Sequence, residues 1–129
     1  MRLLLDTQVW LWMVAEPERL SRRSRALVRA SANELLLSAA SAWEIAIKFG
    51  LGKLELPDGP EAFVPRLMTR TAVTPLPVHH RHALRVAALP LHHRDPFDRL
   101  LIAQAQMEEV PVMTADRAFR RYEVEVIPA

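Results

Sequence analysis

At 129 residues the chain is sized for one domain, and its 50% hydrophobic content supplies enough apolar side chains for a sizeable core. It has no cysteine, which excludes disulfides, thiolate zinc sites and a cysteine nucleophile and is compatible with a reducing cytoplasm. The formal net charge of +2 points to no partner, and a charged fraction of 25% is ordinary for a globular protein.

Leu3-Leu4-Leu5 is a short apolar run with a polar break after it, as in a buried strand of a parallel sheet. Asp6-Thr7-Gln8 and Glu16-Pro17 interrupt the N-terminal apolar stretches. No uninterrupted signal-peptide core forms, and no run approaches the roughly 18 apolar residues of a membrane span. The chain is therefore expected to be soluble, unexported and cytoplasmic. Trp10, Met13 and Val14 are spaced i, i+3, i+4, as on one face of a short helix. An amphipathic helix follows Pro17 and runs to about Ala32, with Leu20, Leu27 and Val28 as its apolar residues. It carries Arg19, Arg22, Arg23, Arg25 and Arg29, which read either as a solvated face or as a polyphosphate-facing surface.

Leu35-Leu36-Leu37 is a second buried strand. Ser41 then precedes a helical pattern with Trp43, Ala46 and Ile47 inward, stopped by Gly50 and Gly52. A further helix carries Phe63, Leu67 and Met68. Val73 to Val78 contains Pro75 and Pro77, so it is a short edge strand at best. His79 to Leu89 reads as a helix with Ala83, Val86 and Ala87 inward, ended by Pro90. Pro96 opens a helix to about Glu109, with Phe97, Leu100, Leu101 and Ala105 as its apolar face. Val110 to Thr114 is a strand, Asp116 to Tyr122 a short helix, and Val124 and Val126 alternate with glutamates as in an edge strand. This alternation predicts a single α/β domain over residues 1–129, with a mainly parallel central sheet and helices on both faces.

In open α/β sheets, ligands bind beyond the carboxyl ends of the strands. Asp6 follows the first strand, Glu44 lies one turn into the helix after the second, and Asp116 lies two residues past Thr114. In a parallel sheet these three converge by topology. Asp98, in the first turn of the Pro96 helix, joins them if that helix starts at the same edge. Such a cluster makes sense if a cation compensates the repulsion or some of the acids stay protonated. Oxygen ligands alone select a hard ion, Mg²⁺ or Mn²⁺, whose associated chemistry is phosphoryl displacement. Each acid also has a local alternative. Asp6, Asp98 and Asp116 could serve helix N-termini, while Glu44 could close a capping box with Ser41 or pair with Lys48.

The chain resembles the PIN-domain nucleases, particularly the VapC-like toxins of prokaryotic toxin–antitoxin pairs. The resemblance runs through Leu4-Leu5-Asp6-Thr7, then Ser41-Ala42-Trp43-Glu44-Ile45-Ala46-Ile47-Lys48 with Gly52-Lys53-Leu54. It continues through His93-Arg94-Asp95-Pro96-Phe97-Asp98-Arg99-Leu100-Leu101-Ile102-Ala103-Gln104-Ala105 and closes on Thr114-Ala115-Asp116. It implies a Rossmann-like α/β/α sandwich and a Mg²⁺- or Mn²⁺-dependent endoribonuclease, held in check by a small antitoxin whose arm occupies the acidic groove. It implies Asp6 and Asp98 as the principal metal ligands. Glu44 would complete the cluster directly or through water, Asp116 would hold a metal or its water, and Thr114 would sit beside the site. Asp95 competes with Asp98 for the ligand role, and is expected instead to cap the helix that opens with Pro96. Arg99 is the candidate to draw RNA phosphate past the acids.

The remaining residues divide more loosely. His79, His80, His82, His92 and His93 are expected at the surface or facing RNA. A zinc site using His79 and His82, and a histidine general base, are the alternatives. Trp43 is expected in the core, and one of Trp10 and Trp12 is expected to be exposed and covered in a homodimer. Two other functions compete with the toxin: a PIN nuclease for RNA processing or DNA flap cleavage, and a non-catalytic binding module.

Overall fold

The computed structural model describes residues 1–129. Its strands are β1 (Arg2–Leu5), β2 (Glu34–Ser38), β3 (Thr74–Leu76), β4 (Val112–Thr114) and β5 (Val126–Pro128). Its helices are α1 (Thr7–Ala15), α2 (Arg22–Arg29), α3 (Ala39–Gly50), α4 (Pro60–Thr71), α5 (His80–Arg85) and α6 (Pro96–Glu108). Short 3₁₀ turns occupy Pro17–Arg19, Val86–Ala88 and Arg117–Arg121. No helix is long and apolar enough to cross a membrane.

All strand pairings are parallel, in the order β3-β2-β1-β4-β5. Consecutive side chains of a strand point to opposite faces, so an uninterrupted leucine run must be covered on both sides. Leu3 and Leu5 of β1, with Leu35 and Leu37 of β2, pack into one cluster with Val9, Trp10, Ile45 and Leu67. Leu4 and Leu36 pack into another with Leu101, Ile102, Ala105 and Phe119. The two clusters make an α/β/α sandwich of Rossmann-like order. The chain builds outward from β1 through β2 to β3, then returns to add β4 on the other side of β1. The carboxyl ends of β1 and β4 thus flank the point where the winding reverses, the place at which such sheets leave a crevice.

Four expectations are corrected. Trp43 is 58% exposed, and α3 turns Ala40, Ser41, Glu44 and Ile45 inward instead of Trp43, Ala46 and Ile47. The helix starts at Ala39 on a Ser38 cap, and its buried face includes polar residues, so apolar spacing alone misplaces the face. Trp10 is fully buried, where its indole N–H donates to Thr71 Oγ1 at 2.9 Å, whereas Val14 is 40% exposed. The expected His79–Leu89 helix is a short α-helix followed by a 3₁₀ turn, and its inward residue is His82, with Ala83 and Ala87 exposed. The His79 backbone N–H donates to His82 Nδ1 at 3.0 Å, which folds that ring back under the helix start. The last strand lies two residues later than its alternating glutamates suggest, because Val112, Met113 and Thr114 pair with Val126, Ile127 and Pro128.

Candidate active site

Asp6 is the first residue past β1, and its N–H donates to Met113 O at 3.0 Å. It occupies the cap position of α1, yet its side chain makes no capping bond. Its Oδ2 instead accepts from Thr114 Oγ1 at 2.6 Å. The same Thr114 hydroxyl accepts from the Asp116 N–H at 3.0 Å, so one side chain at the end of β4 joins two acids. Asp116 does cap the following 3₁₀ turn, through Oδ1 to the Ala118 N–H at 2.9 Å. That leaves its Oδ2 facing His93 Nε2 at 2.7 Å.

Glu44 is 6% exposed, in the second turn of α3. Because α3 starts at Ala39, the capping box with Ser41 does not form. Glu44 Oε2 pairs with Lys48 Nζ at 2.6 Å, and Oε1 accepts from Thr7 Oγ1 at 2.7 Å. Thr7 also lies 2.8 Å from Ser41 Oγ, whose proton can satisfy it in turn.

Asp95 and Asp98 separate cleanly. Asp95 Oδ1 accepts from the N–H groups of Phe97 at 2.8 Å and Asp98 at 3.3 Å, with Pro96 at the first helical position. It is the helix cap expected of it. Asp98 spends no oxygen on the helix, and α6 begins at the same sheet edge, so Asp98 faces Asp6 and Glu44 across a cleft of about 300 Å³. Thr7, Lys48, Lys53 and Asp95 also line this cleft, and no arginine does. Asp116 stands outside the lining, joined to the others through Thr114 and His93.

Burial pushes the Asp98 carboxyl up to about 8, and the charges of Asp6, Asp95, Glu44 and Asp116 add to the rise. Burial also raises Asp6. The Thr114 hydrogen bond opposes that rise, while the charges of Glu44 and Asp116 add to it. Lys48 rises chiefly through its hydrogen bond to Glu44. The chain therefore gathers more negative charge than it neutralises, around oxygen donors with no thiolate among them. A hard divalent cation suits the chemistry of that donor set; Asp6, Glu44 and Asp98 line the one cleft, and Asp116 stands beside it.

Arg99 does not face the cleft. Its guanidinium donates to the carbonyls of Pro90 at 3.0 Å, Val86 at 3.1 Å, and Leu89 and His93 at 3.4 Å. Its donors are spent binding the segment before α6 to that helix, which corrects its expected role at the phosphate. Lys48 and Lys53 are the cations at the acids; the i, i+4 spacing to Glu44 pointed to Lys48, and nothing in the spacing pointed to Lys53. The histidine expectation is corrected twice. His82 is fully buried, and His93 sits between two of the acids. Nothing in the spacing flags His93, because Asp116 lies 23 residues away in the chain.

The family model for the PIN domain matches residues 3–125. The chain belongs to the PIN-domain family. A 59-residue stretch of this PIN domain is 51% identical to Ribonuclease VapC16 of Mycobacterium tuberculosis. The stretch covers 46% of this chain and 42% of that protein, so the match spans less than half of the relative. Among solved structures, the fold is similar to VapBC2 from Rickettsia felis bound to a DNA fragment from its promoter. The TM-score is 0.72 at 14% identity, covering 98% of each chain. It is also similar to DNA-bound VapBC from Salmonella typhimurium, with TM-score 0.72 and 16% identity over 98% of this chain and 97% of that one. VapBC-5 from Mycobacterium tuberculosis, of the VapBC family of toxin-antitoxin systems, gives 0.63 and 20% over 99% and 98%. At these identities the structural likeness establishes the fold of this PIN domain.

Proposed function

We propose that this PIN domain is a Mg²⁺- or Mn²⁺-dependent endoribonuclease and the toxin of a toxin–antitoxin pair acting in the cytoplasm. The observation that carries the reading is the convergence of Asp6, Glu44, Asp98 and Asp116 at the β1/β4 switch point, with burial and mutual repulsion raising Asp98 to about 8. Asp6 and Asp98 are the principal ligands, Glu44 completes the set, and Asp116 closes it from the β4 side. When bound, the cation supplies positive charge against the charge developing on the phosphate and makes water a better nucleophile. Thr114 fixes Asp6 through its hydroxyl. Thr7 and Lys48 hold the two oxygens of Glu44. Lys48 and Lys53, at the rim of an otherwise acidic cleft, offset the repulsion that an incoming RNA phosphate meets there.

The identity to Ribonuclease VapC16 supports RNA as substrate, and the likeness to VapBC complexes supports a small antitoxin as partner. An apolar trough of about 490 Å³, lined by Leu11, Trp12, Leu56 and Phe63, opens beside the acids and shares Gln8, Leu11 and Leu54 with their cleft. It suits the apolar stretch of an antitoxin arm that ends at the carboxylates.

The test is cleavage of single-stranded RNA with Mg²⁺ or Mn²⁺, set against a DNA flap of matched length. RNA cleavage is expected, abolished by EDTA and by Asp98→Asn with the fold intact by circular dichroism. Near-normal cleavage by Asp98→Asn would remove Asp98 from the centre, and preference for the flap would favour a nuclease outside a toxin pair.

A further inference from the structure

His93 has both ring nitrogens engaged. Nδ1 lies 3.1 Å from the Asp95 backbone nitrogen, whose N–H donates to it. Nε2 lies 2.7 Å from Asp116 Oδ2 and 3.0 Å from Asp98 Oδ2. A ring nitrogen that accepts a hydrogen bond carries a lone pair, so the hydrogen of the imidazole sits on Nε2. One ligand atom from each of His93, Asp98 and Asp116 fits within a 4.8 Å span, which by distance alone could bridge a metal. The tautomer argues otherwise. A nitrogen ligand or a general base needs a free lone pair at Nε2, and the Asp95 N–H places a hydrogen there instead.

The residue's backbone and ring are also held in place. The N–H groups of His92 and His93 donate to the Tyr122 hydroxyl at 3.0 and 2.8 Å. Arg99 reaches the His93 carbonyl. Phe119 packs edge-on against the imidazole, with centroids 6.1 Å apart. Asp95 cannot drift, because its side chain caps α6. The donor is thus fixed by the same contacts that fix the start of α6, where Asp98 sits.

We propose that His93 is a positioning residue of the acid centre, a locked Nε2–H donor shared between Asp98 Oδ2 and Asp116 Oδ2 that holds the two carboxylates in place and leaves Asp98 Oδ1 for the cation. The inference rests on the metal-centre reading above. An N–H donor between two carboxyl groups offsets part of their mutual repulsion and eases their approach. Outer groups of this kind typically change metal affinity about 10–100-fold when removed.

Two measurements on the full chain test it. Long-range ¹H–¹⁵N NMR of histidine-labelled protein without metal should show His93 with its hydrogen on Nε2 and none on Nδ1. A hydrogen on Nδ1 would overturn the proposal. Titration with Mn²⁺ by calorimetry should show about 10–100-fold weaker binding in His93→Ala and substantial recovery in His93→Gln, whose amide N–H can replace the donor. The Mn²⁺ electron spin-echo spectrum of the wild type should carry no histidine nitrogen coupling. Such a coupling, or equal Mn²⁺ affinity in wild type and His93→Ala, would overturn the positioning role. Wild-type protein that fails to bind Mn²⁺ would overturn the metal reading itself, and the role of His93 with it. Wild-type binding unchanged by His93→Ala overturns this inference alone.

Discussion

At the scale of the residue, Asp98 shows how a folded chain can hold a group against its own stability. Its carboxyl rises to about 8 because burial removes water and four neighbouring carboxylates oppose its charge. The unfolded chain ionises the same group near 4. The folded state therefore binds the proton more tightly, and the stability tied to that proton is full below about pH 4 and lost as pH rises through about 8. Asp98→Asn removes this loss. The metal-free variant is expected to melt several degrees above wild type at pH 8 and at nearly the same temperature at pH 4, about 1 kcal/mol corresponding to about 4 °C in a domain of this size. Scanning calorimetry of both proteins in EDTA at the two pH values checks it, and a gap that does not widen with pH would refute the linkage. A group kept for activity, the role proposed for Asp98, is expected to be one that stability would rather lose.

At the scale of the element, α6 delivers the site. Pro96 sets the first turn, Asp95 caps it, and the face carrying Leu101, Ile102 and Ala105 is pressed into the core. The helix start is thereby fixed at the sheet edge, and Asp98 with it. The cap and the proposed ligand stand three residues apart and separate by substitution. Asp95→Asn keeps an acceptor for the Phe97 N–H and is expected to retain stability and RNA cleavage. Asp95→Ala is expected to cost about 1 kcal/mol. Urea denaturation with parallel cleavage assays decides between the two roles, and loss of cleavage in Asp95→Asn at unchanged stability would make Asp95 a ligand. Arg99 belongs to this scale as well. Its place beside Asp98 in the sequence suggests a substrate contact, yet residues adjacent in a helix point in different directions, about 100° apart. That rotation turns Arg99 toward the carbonyls of the preceding loop.

At the scale of the whole molecule, an exposed aromatic pair stands beside the acids. Trp43 is 58% exposed and packs edge-on against Phe97, with ring centroids 5.1 Å apart. These two residues immediately precede Glu44 and Asp98, so the patch adjoins the acid cleft. We propose that a homodimer covers it and sets two acid centres near one another, with its aromatic anchor on α3 and not on α1. Light scattering at micromolar concentration is expected to give a dimer for wild type and a monomer for Trp43→Ser. A wild-type monomer would remove the proposal.

The sequence by itself determined the layers and most of the acids. Leucine triplets ending in polar residues define strands covered on both faces, and Asp6 and Asp116 follow their strands within two residues, so sheet topology alone carries them to one edge. The rest was decided by the tertiary structure, for a common reason: it depends on directions and on contacts between distant segments, which a linear spacing does not contain. The inward face of α3 turned on a cap at Ser38, and so Trp43 came out where a core residue was expected. Asp98 became a site residue only because α6 starts at the carboxyl edge. His93 and Asp116 meet across 23 residues of chain because Tyr122, Arg99 and the Asp95 N–H converge on one loop. Local chemistry fixed which residues could serve a centre, and long-range packing fixed which of them meet at the sheet edge.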